Sequence, residues 1–399
     1  WHRAQGERGC RVLALATRRV PARARYTRED EAAMTLAGFL LFLDPPKADA
    51  AQVVQSLRAL GVQVKIVTGD NRHVAAHVAA AVGLDAARLL TGGEIAQMRD
   101  VALWHHAERS DVFAEIDPQQ KERVVRALQR RGHAVGYMGD GINDAPALHA
   151  ADVGISVEGA VDVARESADV VLLRRDLAAV RRGVEDGRRT FANTLKYICM
   201  TTSANFGNMV SMAIATPLLP FLPLAAKQIL LNNFLSDFPS LAISADRVDE
   251  ENLRRPLAWD MAQVRRFMLV FGLVSSAFDL LTFWLLLGVF HADEPLFQTA
   301  WFVVSLLTEL SVVLVLRTQR PAWRSAPSAL LLGSTVAVAA AAVAIPYVGA
   351  LAGAFGFVPL GWPLLASLAG VVLGYLAATE AVKTRKYWFG RKSGASASA

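Results

Sequence analysis

The sequence predicts an α/β domain with a Rossmann-type parallel sheet, followed by an all-α membrane domain of six helices. Three observations carry this. The 399 residues are 53% hydrophobic and 20% charged, but the apolar ones are unevenly spread. Residues 1–190 alternate apolar and charged stretches, whereas from about residue 193 long apolar segments are separated by short polar gaps. In the first half, short β-branched runs alternate with helix-like stretches, the pattern of a parallel sheet covered on both faces. In the second half, Lys and Arg occupy every other gap, as the positive-inside rule requires of a multi-span protein.

The elements follow in order. The N-terminal WHRAQGERGCRVLALATRRV has no apolar core long enough for a signal peptide and begins as if in mid-domain, so the chain is expected to belong to a longer protein. TLAGFLLFLD (35–44) reads as a strand ending at Asp44, before Pro45 and Pro46. VKIVTGD (64–70), HAVGYMGDG (133–141), DVGISV (152–157) and ADVVLL (168–173) read as further strands. Helices are predicted over 47–60, 71–83, 117–131, 143–151 and 158–167. Ligands of such sheets bind at the C-terminal ends of strands. Asp44, Thr68, Gly69, Asp70 and Asp140 stand at such ends and are expected to converge.

After Asp176, LAAVRRGVEDGRRTFANTLKY reads as a charged helix running directly into an apolar one. Spans are predicted near 194–215, 224–244, 266–290, 297–316, 328–346 and 361–380, each close to the roughly 20 residues that cross a bilayer. The gap 245–265 carries Arg247, Arg254, Arg255 and Arg265, and 317–327 carries Arg317, Arg320 and Arg324. Gaps 216–223, 291–296 and 347–360 hold no Lys or Arg. The soluble part and the C-terminus are therefore expected in the cytoplasm, and residues 391–399 form a small, polar, disordered tail. Nucleic acid is not an expected partner, because the net charge of +6 comes with no basic run interleaved with aromatics. Cys10 and Cys199 are too few and too distant for a disulfide framework or a zinc site.

Chemistry concentrates in GYMGDGINDAPAL (136–148). Gly139 and Gly141 allow close approach of backbone to an anion. Asp140 and Asp144 are the hard oxygen donors that Mg²⁺ prefers. Asn143 is placed to open the next helix, whose first amides favour an anion. Thr68 and Gly69 offer a hydroxyl and an N–H, and Lys121 in DPQQKERVV offers a point charge to a phosphate. A solvated turn with Asp caps is the simpler reading of GDG alone. The ordered company of TGD and a helix-borne lysine argues against it.

Polar groups at membrane depth are costly and commonly functional. TTSANFGNMVS places Asn205 and Asn208 in the first span, and LLNNFLSDFPS places Asn232, Asn233 and Asp237 in the second. Pro239 frees a backbone carbonyl nearby, so Asp237 is the leading cation ligand. Amides that merely join helices are the competing reading for Asn205 and Asn208. Asp279 and Glu309 are weaker candidates, without an obvious cluster of neighbours. Lys227 sits where its ammonium can snorkel to the surface, and Trp259, Trp301 and Trp388 fall near expected interfaces.

TGDN (68–71), DPQQK (117–121) and GDGINDAPAL (139–148), followed by six spans, resemble the C-terminal part of a P-type cation-transporting ATPase. DPPK (44–47) matches the hinge motif of that family. The resemblance implies a haloacid-dehalogenase-like phosphorylation domain over 35–190, a remnant of the nucleotide-binding domain over 1–34, and a transmembrane domain over 191–390. It further implies ATP as substrate, with Asp140 holding Mg²⁺, Asn143 and Asp144 supporting the phosphate site, and Thr68, Gly69 and Lys121 holding the phosphoryl group.

The family's phosphorylated Asp lies in an Asp-Lys-Thr-Gly-Thr string that this sequence lacks, as it lacks the Thr-Gly-Glu loop. The chain is thus expected to be the C-terminal portion of a pump, the missing N-terminal part being its partner, and not to hydrolyse ATP alone. SANFGN, LLNNFLSD and WFVVSLLTELSVVLVLRT are similar to the bacterial magnesium-transporting subgroup, which implies Mg²⁺ import across the bacterial inner membrane. The donors also suit Ca²⁺, H⁺ or another cation. A membrane-anchored phosphatase is disfavoured, because DPPK lacks a second Asp two positions after Asp44. A truncated, non-catalytic membrane subunit is the remaining alternative.

Overall fold

The computed structural model describes residues 1–384 except Ala24, Arg175 and Arg255, so the expected tail lies outside the described residues. The chain divides into two units, Trp1–Gly183 and Val184–Ala399.

The first unit begins with α1 (His2–Glu7), β1 (Cys10–Thr17) and β2 (Thr35–Leu43). β1 and β2 pair antiparallel from Cys10 opposite Leu43 to Thr17 opposite Thr35, with a register shift at Leu15/Ala16. This corrects the reading of 35–44 as a strand of the parallel sheet. An unbroken apolar run with no alternation resembles a strand buried on both faces. Here both faces of the hairpin are largely exposed.

The remainder runs α2 (Ala50–Ala59), β3 (Ile66–Val67), α3 (Arg72–Ala81), β4 (Leu90–Thr91), α4 (Gly92–Gln97), α5 (Asp100–Arg109), β5 (Val112–Ala114) and α6 (Pro118–Arg130). β6 (Gly136–Met138), α7 (Ala145–Ala150), β7 (Val153–Val157), α8 (Asp162–Glu166) and β8 (Val170–Leu172) complete it. The parallel strands form two sheets of three, ordered β3-β5-β4 and β6-β7-β8, where one sheet was expected. β3 and β6 are edge strands of the two. Val67 of β3 and Val135 before β6 pack against the same two apolar clusters.

Helix positions follow local chemistry. α2 buries Ala50, Val53, Val54 and Leu57, a single stripe at helical spacing. Asn71 caps α3 by accepting from the His73 N–H at 2.8 Å. Asp117 caps α6 by accepting from the Gln120 N–H at 2.7 Å, with Pro118 at the first helical position.

The second unit is helical. α9 (Leu177–Ala215) is a single helix of 39 residues, within which the division between units falls. It is followed by α10 (Ala226–Ala242), α11 (Glu250–Arg254), α12 (Met261–Trp284, continued as a π-helical turn over Leu285–Val289), α13 (Glu294–Leu316), α14 (Ala329–Ala344), α15 (Gly349–Phe355) and α16 (Trp362–Thr384). Among the described residues, four helices are long and apolar enough to cross a membrane: 261–289, 294–316, 329–347 and 362–384. The other two predicted spans are also helical. α10 has 17 residues, about 25 Å of axial rise, and the apolar part of α9 is interrupted by hydroxyl and amide groups.

α13 lies at the centre of its unit, contributing Phe297, Trp301, Phe302 and Leu306 to the largest apolar cluster. Trp301 is only 1% exposed, which corrects its assignment to an interfacial belt. In the loop after α10, Asp246 is fully buried between Lys196, midway along α9, at 3.0 Å, and Arg317, at the C-terminal end of α13, at 3.3 Å. It also accepts from the Ser328 N–H at 3.1 Å.

Candidate functional site

The site in the first unit is built on the loop after β6. Asp144 receives three donors from three places. Lys121 Nζ on α6 stands 2.7 Å from Oδ1, Tyr137 OH on β6 donates to Oδ1 at 2.9 Å, and the Gly141 N–H donates to Oδ2 at 3.1 Å. Burial alone would raise the Asp144 carboxyl, but these donors outweigh it and hold it below the usual carboxylate range. Burial, reinforced by the charge of Asp144, pushes the Tyr137 hydroxyl up.

Gly139 is required by space. A Cβ there would stand 2.4 Å from the Asp144 Cβ, so the loop closes on its own carboxylate only over a glycine. The loop's mouth is tied by the Ser156 hydroxyl, which donates to the Gly139 carbonyl at 3.0 Å, and by the Val161 N–H, which donates to the Asp140 carbonyl at 3.1 Å.

Asp140 and Asn143 are exposed at the end of β6. Asn143 lies inside a 3-10 turn, Ile142–Asp144, so α7 opens at Ala145 and not at Asn143 as expected. Thr68 and Gly69 follow β3, and the Thr68 hydroxyl accepts from the Asp70 N–H at 3.1 Å. Asp70 forms an ion pair with Arg11 of β1, a partner the sequence did not suggest. The Val67–Tyr137 cluster puts the ends of β3 and β6 over one core. Asp44, Pro45 and Pro46 leave the β1–β2 hairpin in irregular backbone before α2, so Asp44 does not end a parallel strand. Glu115, which sequence reasoning passed over, adopts a left-handed φ of 58° after β5 and grips Arg72 with both carboxylate oxygens at 3.0 Å.

For Mg²⁺, the donor chemistry fits at Asp140, a hard and solvent-facing carboxylate. Asp144 offers the same oxygens but already gives them to Lys121, Tyr137 and Gly141.

In the second unit the interior polar stripe of α10 is Gln228, Asn232 and Ser236, four residues apart, while Asn233 and Asp237 lie on an exposed face. Asn232 Nδ2 donates to Glu309 Oε2 of α13 at 3.4 Å, Ser236 also hydrogen-bonds Glu309, and the Asp237 charge acts on it. The Asn232 Oδ1 is buried with no partner among the described residues. The structure thus gives Glu309 the neighbours that sequence reasoning could not see. On α9, Asn205 is exposed, and Asn208 Oδ1 accepts from the Ser305 hydroxyl at 3.4 Å. Lys227 Nζ donates to the Ala354 carbonyl at 2.7 Å.

A glycine-closed acidic loop on parallel strands is joined in one chain to apolar helices that carry buried carboxylates, and each of these two parts matches a known family. The family described as "haloacid dehalogenase-like hydrolase" matches residues 5–152, and "Cation transporting ATPase, C-terminus" matches 221–385. The chain belongs to the P-type cation-transporting ATPases and aligns with their C-terminal portion. It is 46% identical over 388 residues to Magnesium-transporting ATPase, P-type 1 of Escherichia coli strain K12, covering 95% of this chain and 43% of that protein. A protein of the same name from Salmonella typhimurium strain LT2 is 42% identical over 94% of the chain and 42% of its own length. Plasma membrane ATPase 1 of Saccharomyces cerevisiae is 32% identical over 82% of the chain and 36% of its own length. The chain therefore spans less than half the length of the curated relatives it matches.

Proposed function

We propose that the chain is the C-terminal part of an ATP-driven pump that imports Mg²⁺ across the bacterial inner membrane, with the first unit and the C-terminus in the cytoplasm. The observation that carries this reading is Lys121 held against the GDGIND loop in a chain that also carries apolar helices of membrane length. In the proposed division of labour, Thr68, Gly69 and Lys121 hold the phosphoryl group. Asp140 holds the Mg²⁺ cofactor, with Asp144 beside it aiming the lysine, and Asn143 lines the rim. Bound Mg²⁺ supplies positive charge against the phosphoryl oxygens. ATP is the substrate of the whole pump.

The phosphorylated aspartate comes from the part of the longer protein that precedes this chain. One parallel strand between the edges of β3 and β6 would join the two sheets and bring its C-terminal end beside Thr68 and Asp140. Asp44, Pro45 and Pro46 form the hinge between residues 1–34, belonging to the nucleotide domain, and the phosphorylation domain, 35–190. Asp237, Asn233, Asn205 and Asn208 bind the transported cation, joined by Glu309 and the unsatisfied oxygen of Asn232.

In the complete pump, Asp237→Asn is expected to lower Mg²⁺-stimulated ATP hydrolysis at least ~10-fold, as loss of a charged donor worth about 1.4 kcal/mol or more implies. Wild-type stimulation in that variant would remove Asp237 from the site. Full stimulation of the wild-type pump by Ca²⁺ or protons in place of Mg²⁺ would reassign the ion.

A further inference from the structure

α9 and α12 meet along a seam of small residues. Ser203, Gly207 and Ser211 repeat every four positions on α9, and Gly272 and Ser276 do so on α12. A Cβ on Gly207 would stand 2.9 Å from the Ser275 Cβ and 3.0 Å from the Gly272 carbonyl oxygen. The two backbones therefore approach as closely as glycine allows, as at other membrane helix crossings.

At the end of this seam lies Asp279, 5% exposed. Its Oδ1 accepts from Trp301 Nε1 of α13 at 3.1 Å. Its Oδ2 stands 2.6 Å from Ser211 Oγ. That same Ser211 Oγ is 2.9 Å from the Gly207 carbonyl oxygen, to which the Ser276 hydroxyl also comes within 3.0 Å.

A hydroxyl carries one proton, and neither a carbonyl nor an ionised carboxylate supplies one. With Asp279 ionised, Ser211 can satisfy only one of its two close neighbours, and the other contact sets lone pair against lone pair at hydrogen-bond distance. With a proton on Oδ2 every contact is filled: Trp301 donates to Oδ1, Asp279 donates to Ser211, and Ser211 donates to Gly207.

The surroundings agree. Among the described residues no Lys, Arg or His comes within ion-pair distance of Asp279. α9 presents Ser211 to it and α13 presents Trp301. α16 contributes Tyr375, a hydroxyl within electrostatic reach of both Asp279 and Glu309. An unpaired carboxylate at this depth is expensive, whereas a neutral acid with two partners is not.

We propose that Asp279 is a proton-binding site, separate from the cation donors around Glu309 and Asp237, that takes its proton from water and holds it while α9 and α12 stay closed. The test is infrared spectroscopy on the full chain in lipid vesicles at about pH 7, where ordinary carboxyls are ionised. The wild-type spectrum is expected to contain a carboxylic-acid C=O band that Asp279→Asn removes. Ser211→Ala is expected to shift that band to higher frequency, because the acid O–H loses its acceptor. No band lost in Asp279→Asn, or a band unmoved by Ser211→Ala, overturns the proposal. If Asp279→Asn does not fold, the shift in Ser211→Ala decides alone, since Ser211 touches Asp279 and no other carboxyl.

Discussion

At Asp144 one carboxyl is shared by a lysine, a tyrosine and a backbone amide from three separate places in the chain. Folding holds this carboxyl below the unfolded value of about 3.9, so the ionised form is favoured in the native state. The stability it contributes is present above about pH 4 and is lost as pH falls through the lower, folded value. Asp144→Asn is therefore expected to weaken the first unit at neutral pH and to flatten the acid limb of its stability curve, as urea unfolding of the chain across pH will show. Gly139→Ala forces a Cβ onto Asp144 and is expected to cost about 1–3 kcal/mol by the same measurement, the usual range for overpacking. The sequence marked Lys121 and Asp144 separately, one for phosphate and one for metal. Their direct bond bridges 23 residues, and no spacing rule reaches that far. Tyr137 was hidden as an ordinary strand residue, and Glu115 depends on a left-handed backbone that no periodicity reports.

Among the elements, those with strong local signals were legible. α2, α3 and α6 carry an apolar stripe, a cap, or both, and they form within a few residues of their expected bounds. β5 is three residues long and wholly buried, too short for any pattern, and α5 is polar overall. β2 was recognised as a strand but assigned the wrong partner, because an apolar run does not say which strand lies beside it. The middle of α9 and the C-terminal end of α13 are tied by a device that hydropathy cannot display, the buried Asp246 between Lys196 and Arg317. Asp246→Asn removes the ion-pair partner shared by two buried cations and is expected to destabilise the second unit by about 3–5 kcal/mol. Thermal unfolding in detergent checks this, and an unchanged midpoint would show that the cluster contributes no net stability.

For the molecule as a whole, the charge pattern of the loops predicts a topology that helix length alone leaves open. Among the described residues four helices meet the length and hydropathy needed to span, and α9 and α10 both fall short of that standard. With α9 and α10 as spans, a periplasmic reporter fused at residue 220 is expected to be active, and one fused at residue 250 inactive. Inactivity at 220 would leave only four spans. In the proposed reading the nucleophile lies outside these residues, so this chain alone is expected to form no vanadate-sensitive phosphoenzyme. Phosphoenzyme formed by this chain alone would place the nucleophile within these 399 residues.

The β1–β2 hairpin has a practical corollary. Leu13, Phe39, Leu40 and Phe42 are 47–58% open to water on a ribbon of only two strands. Such a ribbon is adhesive, since any like ribbon can add to its edges and cover its faces. A preparation of this chain is then a colloidal problem as much as a membrane one. Detergent will shield the helices and leave the ribbon bare, so self-association should rise with concentration and persist at any detergent level. Lysines at Leu40 and Phe42 should disperse it.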